Sequence, residues 1–229
     1  MRHTLAFSLA VLISGSAMAG ASIDSAGFYA SRPGQVFKDS SPQSMNVGYL
    51  EGDETPYQTW EGMLSGKKLY VELHGDQLKI QAGRRKYTSN LGSAFKLPSE
   101  QTAALDFRGT DLYTYQGKGA HDNVLCIESL PAEVNRTTPY RSVYLLIEPL
   151  GKPRLYQLPM LYASCKGVSE DKQGTYMIPW WSPSTDSAPH NLSIEFFKLG
   201  PTGYTATGQR ANATVVDDQI DKFVIDITE

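Results

Sequence analysis

The chain has 229 residues, 41% of them hydrophobic, with 24 acidic side chains against 21 basic ones and a formal net charge of −3. That length allows one large domain or two small ones, and the apolar content suffices for a core of ordinary size. Charge so near neutrality, with Arg84-Arg85-Lys86 as the one basic block, speaks against nucleic acid, which requires a clustered basic footprint.

The first 19 residues have the order of a secretory signal peptide. Arg2 and His3 precede an apolar run from Leu5 to Ile13, and small residues lead to Ala17-Met18-Ala19. The run is about ten residues, short of the ~20 that a membrane-spanning helix needs. Cleavage after Ala19 leaves Gly20 as the mature N-terminus, with no cysteine there to carry a lipid. An uncleaved buried helix is the alternative reading. The compact signal looks bacterial, so the expected destination is the periplasm or the medium. No later segment is apolar for long enough to span a membrane.

Residues 20–45 are rich in Ser, Gly and Pro and lack periodicity, which predicts a loosely ordered N-terminal arm. Residues 46–229 read as one β-rich domain, an all-β and mainly antiparallel sandwich or barrel with at most short helices. Short β-branched and aromatic runs there alternate with Gly, Pro, Asp and Asn turns.

The clearest unit runs from Lys68 to Ala82. Leu69, Val71 and Leu73 alternate with Tyr70, Glu72 and His74, and after Gly75-Asp76 the alternation resumes through Leu78, Ile80 and Ala82. A two-residue turn at Gly75-Asp76 sets Leu73 opposite Leu78, Val71 opposite Ile80 and Leu69 opposite Ala82. The same register puts Glu72 across from Lys79 on the wet face. A second hairpin is expected around Pro149–Pro153, entered by the apolar run Val143–Ile147 and left through Leu155 and Leu158. Further strands are predicted at Thr102–Phe107, Leu112–Gln116, Val124–Glu128, Thr175–Trp181, Leu192–Leu199 and Phe223–Ile227, and a short helix at Asp217–Lys222.

The two cysteines, Cys126 and Cys165, are read as one disulfide in an oxidising compartment. A redox site would want C-x-x-C spacing, and zinc would want further ligands. If the strands around 123–128, 142–148 and 154–165 form a plain meander, the outer two lie about 9.6 Å apart at ~4.8 Å per strand. A disulfide tolerates only about 4.4–6.8 Å between Cα atoms. The bridge therefore demands direct neighbours, opposed layers, or a Cys165 carried back by a loop.

Chemical motifs are sparse. There is no G-x-S-x-G elbow, and Gly62–Lys68 departs from a phosphate loop in its glycine spacing and in placing Lys68 at the magnesium-holding position. His74, His121 and His190 are far apart and read as turn residues, and Asp217, Asp218 and Asp221 lack the calcium-loop pattern. Nothing marks a carboxylate pair for glycoside cleavage. No cofactor or metal is implied. The triplets beginning at Asn135, Asn191 and Asn212 would accept glycans in a eukaryotic secreted protein, and beside a bacterial-looking signal they are read as coincidence.

The aromatic content carries more. Among 13 tyrosines and three tryptophans, Pro179-Trp180-Trp181-Ser182-Pro183 introduces a Pro/Ser-rich stretch ending near His190. Trp180, Trp181 and His190 are the candidate partner surface, since loop aromatics anchor protein contacts and also stack on sugars. Alternation at a strand end would instead bury one tryptophan and expose the other. Three functions follow in order. The first is a non-enzymatic periplasmic protein with a protein partner in the cell envelope, as an inhibitor or immunity factor against an envelope-acting enzyme. The second is a glycan- or envelope-binding module. The third is an envelope hydrolase whose residues assemble only in three dimensions.

Overall fold

The computed structural model describes residues 22–49, 51–52, 55–102, 104–105, 109–117, 123–129, 139–183, 191–216 and 222–228. The signal segment 1–19, His121, His190 and the helix expected at 217–222, save Lys222, lie outside them. So does much of the strand expected at 102–107, whose described residues Thr102, Ala104 and Leu105 are not in a strand.

The chain opens with helix α1 (Ser25–Ser31) and a two-residue strand β1 (Gln43–Ser44). Strands β2 (Asn46–Tyr49), β3 (Pro56–Leu64), β4 (Lys67–His74), β5 (Gln77–Ala82) and β6 (Arg85–Asn90) form a first sheet in sequence order. Strands β7 (Thr110–Gln116), β8 (Asn123–Ser129), β9 (Ser142–Ile147) and β10 (Arg154–Gln157) form a second, with β1 added beside β7. A third contains β11 (Ser169–Glu170), β12 (Tyr176–Pro183), β13 (Asn191–Gly200), β14 (Gly203–Val215) and β15 (Phe223–Thr228). Each ladder between these strands is antiparallel, so the fold is an all-β stack of three meanders.

Local sequence accounts for the β4–β5 hairpin in full. Leu73 pairs with Leu78, Val71 with Ile80 and Leu69 with Ala82, and Glu72 faces Lys79 with an ion pair of 2.7 Å. Gly75 takes the positive φ of 57° that a tight turn requires there. The stretch Gly62–Lys68, with its partial likeness to a phosphate loop, is the β3–β4 hairpin, turning at Ser65-Gly66. The Pro149–Pro153 turn joins β9 to β10, with Ile147 opposite Arg154.

The second sheet is the middle layer. Leu112, Leu125, Ile127, Tyr144, Leu146 and Leu155 pack on one side against Trp60, Leu69, Val71, Leu73, Leu78 and Ile80 of the first sheet. Tyr113, Val124, Cys126, Val143, Leu145 and Tyr156 pack on the other against Tyr176, Ile178 and Leu199 of the third. Burial on both faces is why β9 is apolar without alternation, and all six of its residues are buried.

The third sheet buries a different face at each end. Ile178, Leu199, Phe197 and Tyr204 turn toward the middle layer. Farther along, Trp181, Ile194, Ala211, Ala213 and Phe223 form a third core with Phe28 and Tyr29 of α1 and with Tyr162.

Residues 22–45 differ from the expected loose arm. Phe28 and Tyr29 enter the third core, Val36 and Phe37 the second, and Met45 the first. Anchors spaced about eight residues apart have neither a helix nor a strand period, so pattern alone does not reveal them. Asp24 caps α1 by accepting from the Gly27 N–H at 2.6 Å, and Pro33 follows its end.

Candidate interaction surface

Cys126 and Cys165 form the disulfide, with Cα atoms 5.8 Å apart. The meander β8–β9–β10 does exist, and Cys165 lies outside it, in a short 3₁₀ turn (Cys165–Gly167) that returns to the face of β8. Of the three arrangements that strand spacing allows, the loop that folds back is the one adopted. Beside it, one oxygen of Glu128 accepts from Ser164 Oγ at 3.1 Å and from the Cys165 N–H at 2.9 Å. Burial pushes the Glu128 carboxyl above the usual carboxylate range, against the pull of these bonds and of Arg141. Burial, with Glu128 nearby, pushes the Tyr113 phenol up to about 12. The crevice next to this turn, lined by Tyr29, Leu158, Ser164 and Ile178 among others, has space for about one water molecule. It has no room for a substrate.

The tryptophan pair divides by strand alternation. Trp181 is 1% exposed, packed on Phe28, Tyr162 and Phe223, and its indole N–H donates to the Tyr29 hydroxyl at 3.1 Å. Trp181 is therefore a core residue and not part of a partner surface. Trp180 stays half-buried on the opposite face, edge-on to Phe197 and directly across from Glu195, which pairs with Arg210 at 3.2 Å. Both belong to β12, beyond the two residues it pairs with β11, where an open edge tolerates Pro179 and Pro183. His190 lies outside the described residues.

The outer face of the first sheet is polar. Tyr57, His74, Gln77 and Asn90 line up across four strands, and Thr59, Glu72, Lys79 and Thr88 form the next row. Tyr70 donates to Glu72 at 3.0 Å, and Lys79 donates to its other oxygen. The Lys79 bond holds Glu72 below its usual range, and burial together with Glu72 pushes the Tyr70 phenol up to about 12. His74 ends β4 on this face, with its Nε2 shielded from solvent. Among the described residues, no group of three His, Cys, Asp or Glu side chains is placed to hold a metal ion.

The feature that sequence patterning missed is β2. It ends the first sheet, and half of its backbone N–H and C=O groups point away from β3. Met45, Val47 and Tyr49 share its inner side. Met45 is buried in the first core, whereas Val47 is 49% and Tyr49 68% exposed, so an apolar stripe leaves the core and enters solvent. The other side is covered at Gly48 by the Tyr57 ring, which would lie 2.6 Å from any Cβ placed there. Asn46-Val47-Gly48-Tyr49 carries no charge, whereas the opposite edge strand, β6, carries Arg85 and Lys86. Edge charges are the usual guard against strand addition, and β2 lacks them. The sequence signal was there, in an uncharged four-residue strand, but nothing in one strand's pattern says that it ends a sheet.

No family model matches the chain, and comparison with curated proteins and with solved structures finds no similar protein. No described helix is long and apolar enough to cross a membrane, and the disulfide fits a secreted or periplasmic protein.

Proposed function

We propose that this protein is exported with loss of residues 1–19 and acts in the cell envelope as a non-enzymatic binding protein. It engages a protein partner through its surface, as an inhibitor or immunity factor against an envelope-acting enzyme. The observation that carries this reading is β2, an unguarded edge strand with Val47 and Tyr49 projecting beside it. Such an edge accepts an extended segment by main-chain hydrogen bonding, and alternate side chains supply specificity. Trp180, half-buried on the open end of the third sheet, is a second aromatic contact available to a partner.

The test is capture from the cell envelope by the mature, oxidised protein, run in parallel with Val47→Lys and Tyr49→Lys. Both positions are exposed, so the variants fold as the parent does. The expected result is one stoichiometric protein partner, weakened about tenfold or more by either lysine. Retention of glycan alone would favour the carbohydrate reading. A partner held equally by both variants would remove β2 from the argument.

A further inference from the structure

Arg32 has an unusual setting. It follows α1 directly, and its guanidinium lies over the Phe196 ring, 4.3 Å from the centroid. No hydrogen bond or ion pair reaches the guanidinium from the described residues, and Nη1 is sealed from solvent without a partner. Nε and Nη2 are not sealed in that way. A half-buried cation normally has a carboxylate beside it, because stripping its water is costly. Burial pulls the guanidinium down to about 10, against an opposing pull from Tyr29. It stays charged at neutral pH.

The backbone around Arg32 is fixed. Pro33 follows, and Gly34, with φ of 72°, presses so closely on the Glu170 carbonyl that no Cβ fits. Glu170 N–H donates to the Gly34 carbonyl at 2.8 Å. Phe196 is held from the other side, since its carbonyl accepts from Thr207 Oγ1 at 2.9 Å at the bulge between β13 and β14. The ring thus supports a guanidinium that no described residue pairs with, and its Nε and Nη2 are not sealed from solvent as Nη1 is.

We propose that this edge is a binding site for a carboxylate. A planar two-oxygen acceptor matches the guanidinium edge with two parallel N–H···O bonds. A phosphate dianion would want a second cation. Lys166 does not supply one, because its ammonium is spent on the carbonyls of Phe37, Lys38 and Ser40. The carboxylate belongs to a peptide or protein, as either an acidic side chain or a chain terminus. The site is separate from β2 and stands or falls independently of it.

The test follows the arginine Nε–H resonances of the mature, oxidised protein during titration with N-acetyl-alanine, which offers a terminal carboxylate, and N-acetyl-aspartamide, which offers a side-chain one. The expected result is a saturable shift at Arg32 that exceeds the shift at the 67%-exposed Arg210. The tighter probe identifies the source of the carboxylate. Arg32→Lys keeps the charge without the fork and, with the variants followed by the backbone amide shifts of Gly34 and Gln35, should weaken binding about tenfold. Arg32→Met keeps the cover over Phe196, and should abolish the response without lowering the melting temperature. An Arg32 shift no larger than that of Arg210, tighter binding of inorganic phosphate, or a marked loss of stability in Arg32→Met would overturn the proposal.

Discussion

One oxygen of Glu128 holds two donors, Ser164 Oγ and the Cys165 N–H, and so fastens the turn that carries the disulfide. Its folded-state pKa is raised by burial, so the native protein binds its proton more readily than the unfolded chain does. By linkage, that contribution to stability is full below the ordinary carboxylate pKa and is lost as pH rises through the folded value. Glu128→Gln keeps an acceptor oxygen for both donors and removes the titration. We expect it to be at least as stable as the parent at pH 7 and to lose the downward slope of stability above about pH 4.5. Glu128→Ala orphans both donors and should cost about 1–3 kcal/mol. Urea melts at several pH values check both, and a parallel slope in Glu128→Gln would sink the assignment. Neither Glu128 nor Arg32 was legible from sequence, because each is defined by what lies beside it in space. The Trp180/Trp181 split was legible as an alternative, since period-2 alternation demands that one turn inward. Only the fold says that it is Trp181, on the side where α1 docks.

At the scale of elements, the β4–β5 register was readable because pattern, turn and cross-strand charge agree on one pairing. The β9–β10 hairpin was readable from its Pro-flanked turn, although β9 itself gives no inside and outside. What stayed hidden was how strands lean on one another across layers. Trp60 is the example. Its ring lies along β3 over Gly62, so closely that a Cβ at Gly62 would fall inside contact distance, and its N–H donates to Gln43 of β1 at 2.8 Å. One indole therefore joins the first sheet to the edge of the second, and Gly62 makes the space for it. Gly62→Ala forces the ring off that position, and we expect a loss of about 1–3 kcal/mol, as for other overpacked sites. Gly66→Ala is the comparison, since its Cβ meets nothing and the strain of its positive φ is the only cost. If Gly62→Ala unfolds at the parent's denaturant midpoint, the wedge has no energetic role.

For the whole molecule, the middle sheet and the strap 22–45 decide how three meanders become one body. Each core taken alone has an open side, and the strap's anchors and the disulfide supply the ties between layers. The bridge joins β8, in the middle sheet, to the turn that leads into the third sheet, the two cysteines lying 39 positions apart along the chain. Restricting the unfolded chain over that loop is worth roughly 4 kcal/mol in the chain-entropy model. Both cysteines are fully buried, so a reductant reaches them only through opening of the second core. We expect native protein to resist mild reductant, and the fully reduced protein to lose roughly 4 kcal/mol in denaturant unfolding. The loss should also have a place. Hydrogen exchange on reduction should rise most in β11, β12 and the adjoining half of β13, which rest on the middle sheet through Val168, Tyr176, Ile178 and Leu199. The β4–β5 hairpin, bonded into a different core, should keep its protection. Uniform loss of protection would mean that the three layers unfold as one unit, and unchanged exchange would mean that packing holds the third sheet without the bridge.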